Sequence, residues 1–216
     1  MNTNLYSAIL DTKCNGFAPG EYDFKLLSEY KHIIEEPAYF DFIIESSNGG
    51  FFFKQALHLY GFSDKYDFHD IRGINALLQQ EYGKIVDGLI AFGQELFANQ
   101  FCFDVKTKEI IFFSVESGER EIIAPSFRDW CKLIVTDLEY FTGINVSTQW
   151  VNDKGNLQLD QRLYPRKPFI IGGEYKVENL IAGQFPDYIK ANANIARQIF
   201  NLPDGTAIKL KFINPE

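Results

Sequence analysis

Cysteine and histidine are scarce in this chain, with three of each in 216 residues. Cys14, Cys102 and Cys131 are odd in number and widely spaced, and none belongs to a C-x-x-C pair. That pattern excludes a disulfide framework and a thiolate metal site, and it reads as reduced thiols in a cytoplasmic protein. No run approaches the roughly 20 apolar residues that span a bilayer. The opening MNTNLYSAILDTK has neither the basic start nor the apolar stretch of a signal peptide. Basic charge is also short: 21 Lys and Arg against 29 Asp and Glu leave a net charge of −8 and a pI near 5.0. Such an excess repels phosphate backbones and anionic lipid, so neither nucleic acid nor a membrane is expected as a partner. A basic protein is the partner this charge favours.

Catalytic signatures are missing as well. No serine stands in G-x-S-x-G. The runs Asn48-Gly49-Gly50 and Ile171-Gly172-Gly173-Glu174 fit neither G-x-x-x-x-G-K-[ST] nor G-x-G-x-x-G, and read as a helix stop and a tight turn. Cys102 and Cys131 fall on predicted core elements, where a thiol is inert packing. His69, in SDKYDFHD, has Asp64, Asp67 and Asp70 around it, but no His pair at i, i+4 completes a ligand set. The stretch reads as an acidic, solvated loop. No carboxylate pair is singled out among the 29 acids. The expectation is therefore a protein without enzyme activity, cofactor or metal, although a carboxylate-based hydrolase stays open as an alternative.

What the chain has in plenty is aromatic bulk. It carries 21 Phe and 11 Tyr, and 46% of residues are hydrophobic, the composition of an ordered globular protein. Leu27, Tyr30 and Ile34 share a helix face in YDFKLLSEYKHIIEE; Pro37 interrupts it, and AYFDFIIESS makes a second helix that ends at Asn48-Gly49-Gly50. FFFKQALHLYGF is β-prone, and DIRGINALLQQEYG predicts a short helix. In QFCFDV, Phe101, Phe103 and Val105 alternate onto one face, and EIIFFSV is apolar on both faces. Together these predict a hairpin across Lys106-Thr107-Lys108 at the centre of a sheet. Ser126 caps a helix whose apolar positions run from Phe127 through Trp130, Cys131, Ile134 and Leu138 to Phe141. Beyond Gly143 the sequence predicts a helix in INVSTQWVND, a loop with Pro165 and Pro168, a strand in FIIGGEY, a helix in DYIKANANIARQIF and a closing turn and strand in LPDGTAIKLKF. Helices before, between and after runs of strands indicate an α+β fold with a mixed, mainly antiparallel sheet. One domain spanning 1–216 is expected, with 143–216 as a subdomain packed on its core.

PAYFDFIIESSNGGFFF resembles the early segment of the SUKH superfamily, the Smi–Knr type. LIAFGQELFANQFCFDVKTKEIIFFSVESGE followed by SFRDWCKLI resembles that family's sheet and closing helix, with Gly93, Phe101, Phe103, Asp104, Phe127 and Trp130 at the pattern's positions. The likeness extends over residues 22 to 216. It implies an α+β fold without catalytic residues. For bacterial members it implies an immunity protein that binds and blocks a cognate polymorphic toxin. A regulatory interaction module without a toxin target is the alternative that the eukaryotic relatives suggest. For a basic toxin, the expected contact acids are Asp64, Asp67 and Asp70 in one loop and Glu116, Glu119 and Glu121 in another.

Overall fold

The structure, a computed structural model, describes residues 6–65, 67–203 and 205–209. After a short helix α1 (Ser7–Leu10), α2 (Phe24–Ile34) and α3 (Pro37–Glu45) follow in succession. Asp23 starts α2 by accepting the amides of Lys25 and Leu26, each at 3.0 Å, which satisfies two of the helix's free donors. Pro37 opens α3, where its missing N–H costs nothing. After α3 the chain runs through four successive positive φ angles, from Ser47 at 55° to Gly50 at 122°. Asn48 and the two glycines tolerate that region, so the expected helix stop is a sharp reversal into the first strand.

Six strands form one sheet in sequence order: β1 (Gly50–Phe52), β2 (Leu57–Leu59), β3 (Leu89–Glu95), β4 (Gln100–Asp104), β5 (Ile110–Phe113) and β6 (Arg120–Ala124). All five pairings are antiparallel, and among the described residues the parallel component is confined to a bridge between Gly61 and Asp70. Helix α4 (Ile71–Tyr82) and a 3-10 turn (Gly83–Val86) separate β2 from β3. A bulge interrupts β3 between Ala91 and Gly93. Asn75 of α4 occupies the gap: its side chain donates to the Ala91 carbonyl and accepts the Ala91 amide, both at 2.8 Å. These bonds satisfy both backbone polar groups of Ala91 next to the bulge.

Helix α5 (Phe127–Thr136) covers one sheet face together with α3. Phe92, Phe101 and Phe103 from the strands meet Tyr39, Phe127 and Trp130 from the helices, and all six are buried. Trp130 is edge-on to Phe92 at 5.1 Å and stacks on Phe127 at 5.1 Å. Deleting one such ring from a core costs about 3–5 kcal/mol. The aromatic hairpin of β4 and β5 is therefore core for a scaffold. The apolar series predicts one helix through Phe141, but the structure breaks it at Asp137, and α6 (Leu138–Thr142) starts anew. The Thr136 hydroxyl bonds back to the carbonyls of Lys132 and Leu133, a local competitor that favours ending the helix there.

Two further differences lie beyond α7 (Ile144–Lys154). FIIGGEY is not a strand: Phe169–Ile171 is a 3-10 turn whose first two amides donate to the Glu116 carboxylate. With those donors taken, no ladder can form. The strands of this region are β7 (Gln161–Pro165) and β8 (Leu180–Gln184), an antiparallel pair. Helix α8 (Asp187–Ile199) follows, beside α4. Of the closing strand expected over LPDGTAIKLKF, residues 206–209 adopt no strand, and residues 210–212 lie outside the described residues.

Candidate interaction surface

The first acidic loop joins β2 to α4. Asp64 is exposed, and it lines a cleft of about 270 Å³ with Glu21, Asp23 and Lys65. Asp67 is half-buried and accepts the His69 amide at 2.9 Å. Asp70 does not belong to the surface at all. It is fully buried, caps α4 by accepting the amides of Arg72 (2.8 Å) and Gly73 (3.0 Å), and receives the Ser63 hydroxyl at 3.1 Å. Helix capping explains its burial: the two amides have no other acceptor at a helix start. The three aspartates and His69 thus face different partners and form no shared ligand set.

The second loop, between β5 and β6, divides in the same way. Glu119 is exposed in the loop, and Glu121 is exposed on β6 itself, opposite Phe112. Glu116 is 6% exposed, so it too leaves the expected contact surface. Its oxygens accept the amides of Phe169 (3.1 Å) and Ile170 (2.8 Å). Desolvation raises its pKa, and the Ile170 and Phe169 amides partly offset this. The two loops do not converge. One follows β2 and the other precedes β6, four strands apart, or roughly 19 Å across the sheet at about 4.8 Å per strand.

Between them the structure holds a buried polar row that the sequence did not single out. His58, Gln94 and Gln100 are direct cross-strand partners on β2, β3 and β4, and so share one sheet face. All three are buried, as are His69, Tyr60, Tyr188 and Arg162. His58 Nε2 lies 2.9 Å from His69 Nδ1, His69 Nε2 lies 3.0 Å from the Asn48 carbonyl, and Gln94 Nε2 lies 3.3 Å from His58 Nδ1. A carbonyl can only accept, so His69 must carry its proton on Nε2. Its Nδ1 then accepts from His58 Nε2–H, and His58 Nδ1 accepts from Gln94. The chain is complete with both imidazoles neutral, and a proton added to either ring puts donor against donor. Burial accordingly lowers the His69 pKa to about 4, and burial with the nearby Arg162 charge lowers that of His58.

Tyr188 of α8 shares a hydrogen bond with Gln94, and Tyr60 donates to Gln100 at 2.6 Å. Arg162 of β7 sits over the Phe51 ring at 5.2 Å, and Phe51 stacks on His58 at 4.1 Å. Glu95 ends β3 and accepts the amides of Phe97 (2.9 Å) and Asn99 (2.8 Å); burial pushes its pKa up to about 8. The signal for this row lay in the strand alternation. His58, Gln94 and Gln100 each interrupt an aromatic or aliphatic run, and only the register shows that they are neighbours. The row faces α8 and β7, so its chemistry is that of an internal joint.

Among the described residues, no helix is long and apolar enough to cross a membrane. No curated protein matches the sequence. The chain is similar to a solved protein described as the crystal structure of Atu4351 from Agrobacterium tumefaciens. The two are 18% identical with a TM-score of 0.62, and the match covers 89% of this chain and 88% of that one, a likeness of fold. Residues 17–132 match the SMI1 / KNR4 family (SUKH-1). That span is more than half of the chain and contains all six strands of the sheet, and on this ground the protein belongs to the SMI1 / KNR4 (SUKH-1) family.

Proposed function

We propose that this protein is an immunity protein, which binds a cognate polymorphic toxin stoichiometrically and inhibits it in the cytoplasm. Membership of the SUKH-1 family carries the reading, since its bacterial members are in general non-enzymatic immunity proteins. The molecule's own physics supports it. A sheet packed on both faces is a rigid scaffold, and a net charge of −8 speeds encounter with a basic partner. Asp64, Asp67, Glu119 and Glu121 remain as acids of the proposed toxin-facing surface. In this reading the chain acts as one domain, with residues 143–216 as a subdomain docked through the buried polar row.

The test is co-purification at about 0.15 M salt, followed by expression of any stoichiometric basic partner with and without this protein. A partner that kills alone and is silenced by one equivalent of this chain supports immunity. Partners that bind but are unaffected in activity would replace that reading with a regulatory interaction module.

A further inference from the structure

The burial of Glu116 leaves a question of charge. A carboxylate 6% exposed is normally paired with a cation. Among the described residues no Lys, Arg or His forms an ion pair with Glu116. Each of its oxygens accepts one amide and keeps a further lone pair. The side chain lines a small cavity of about 30 Å³, room for one or two water-sized groups.

Three aromatic rings stand in the cavity wall. Phe169 and Tyr175 stack face to face at 3.8 Å, and Phe97 stands nearly perpendicular to both, at 5.6 and 5.2 Å. Tyr175 is 55% exposed, with Ile170 and Ile171 exposed beside it, so this side of the cavity meets solvent. Asn99, Ser114 and Asn192 also line the cavity, and Asn192 of α8 is 3% exposed with no hydrogen-bond partner for its Nδ2. Turning that amide end for end presents an oxygen, an acceptor, at the same place.

The geometry points to a receptor for one lysine side chain of a basic protein partner, its ammonium directed at Glu116 and its stem against the rings of Tyr175, Phe169 and Phe97. An ammonium is compact enough for the cavity, whereas a planar guanidinium with five donors is not. Aromatic faces attract cations, the more so where water is excluded. This inference rests on the toxin-binding reading and names the kind of contact that reading lacks.

The experiment titrates the protein alone with n-butylammonium chloride, a lysine side chain without its backbone. The ring signals of Phe97, Phe169 and Tyr175 are followed by NMR, with n-butanol and sodium chloride as controls. Saturable shifts for n-butylammonium only are expected, with affinity about tenfold weaker in Tyr175→Leu, a loss typical of a removed cation–π contact. Glu116→Gln should abolish the response, and Tyr175→Leu guards against a folding defect in that variant. A linear response to salt, an equal response to n-butanol, or unchanged affinity in both variants overturns the assignment. Once a toxin is in hand, neutralisation by wild type tests the immunity reading and neutralisation by Tyr175→Leu tests the receptor. Full potency of Tyr175→Leu would refute the receptor alone.

Discussion

Asn48→Ala is the substitution whose cost the structure sets out most fully. Asn48 is buried at φ 69°. Its Oδ1 accepts the Phe62 amide at 2.7 Å, and its Nδ2 donates to the carbonyls of Gly20 (3.0 Å) and Phe62 (3.3 Å). Removing the side chain strands the Phe62 amide in the interior, a loss of about 2 kcal/mol. The two carbonyls suffer less, because Phe62 O also takes the Asp23 amide and Gly20 is only half-buried, so about 1 kcal/mol covers both. Alanine in the left-handed region adds roughly 1 kcal/mol. The expected loss is about 4 kcal/mol, which moves the urea midpoint down by about 1.5 M at a slope of about 2.5 kcal/mol/M. Asn48→Gly relieves the backbone strain and should recover about 1 kcal/mol of that loss. Equilibrium unfolding in urea, followed by the fluorescence of buried Trp130 and by far-UV circular dichroism, measures both variants. A loss below about 1 kcal/mol for Asn48→Ala would show that solvent reaches the Phe62 amide and that the tie between these loops is not structural.

The two aspartates of the first loop should part company: Asp70→Ala is expected to cost about 2 kcal/mol as a lost buried cap, and Asp64→Ala under about 0.5 kcal/mol, in the same urea assay. Gly61→Ala places a Cβ 2.4 Å from His69 Nε2 and 2.6 Å from the Asn48 carbonyl. It should break the His69–Asn48 bond, which histidine 15N NMR reads as a change of tautomer, and it should destabilise by about 2 kcal/mol. Glu95 has a folded pKa of about 8, above its unfolded value, so its neutral form stabilises the fold at low pH and that contribution is lost as pH rises to about 8. From pH 6.5 to 8 the loss is about 2 kcal/mol, and a thermal melt series should show Glu95→Gln flattening this limb while lying lower throughout, because its NH₂ meets one of the two amides. His69, with a folded pKa of about 4 against about 6.5 unfolded, works in the opposite sense: its contribution is present above about pH 6.5 and fades as pH falls towards 4.

What the sequence made legible was local. The Ser126 cap, the Asn-Gly-Gly reversal and the alternation of Phe101 with Phe103 each depend on residues within a few positions of one another, and each stands in the structure. Asp70 was half legible, since an aspartate just before a helix is a cap signal, yet its acidic neighbours made it resemble a solvated loop. Glu116 was not legible at all. The amides it serves lie 53 and 54 residues away, and nothing near Glu116 marks it as different from exposed Glu119. The same bond misled the reading of FIIGGEY, whose β-branched run looks like a strand until its amides are seen to be engaged. β7 ends on Pro165 and β8 contains Gly183, both weak strand signals, and their pairing is a tertiary fact.

The two faces of the sheet hold their covers by different physics. Toward α3 and α5 the contact is aromatic packing, which is strong and nearly non-directional. Toward α8 and β7 it is a row of amides, imidazoles and phenols whose hydrogen bonds fit one arrangement. The residues that match the family, 17–132, contain His58, Gln94 and Gln100, but the groups that cover them, Arg162 and Tyr188, lie beyond that span. A sheet carrying this row without its cover would leave buried polar groups to water. An apolar cover could not replace it, because Gln94 would then lose the Tyr188 hydroxyl, a partner worth about 1 kcal/mol. The polar row therefore works as a key. It contributes modestly to stability and strongly to where α8 sits, and through α8 it places Asn192 at the wall of the Glu116 cavity.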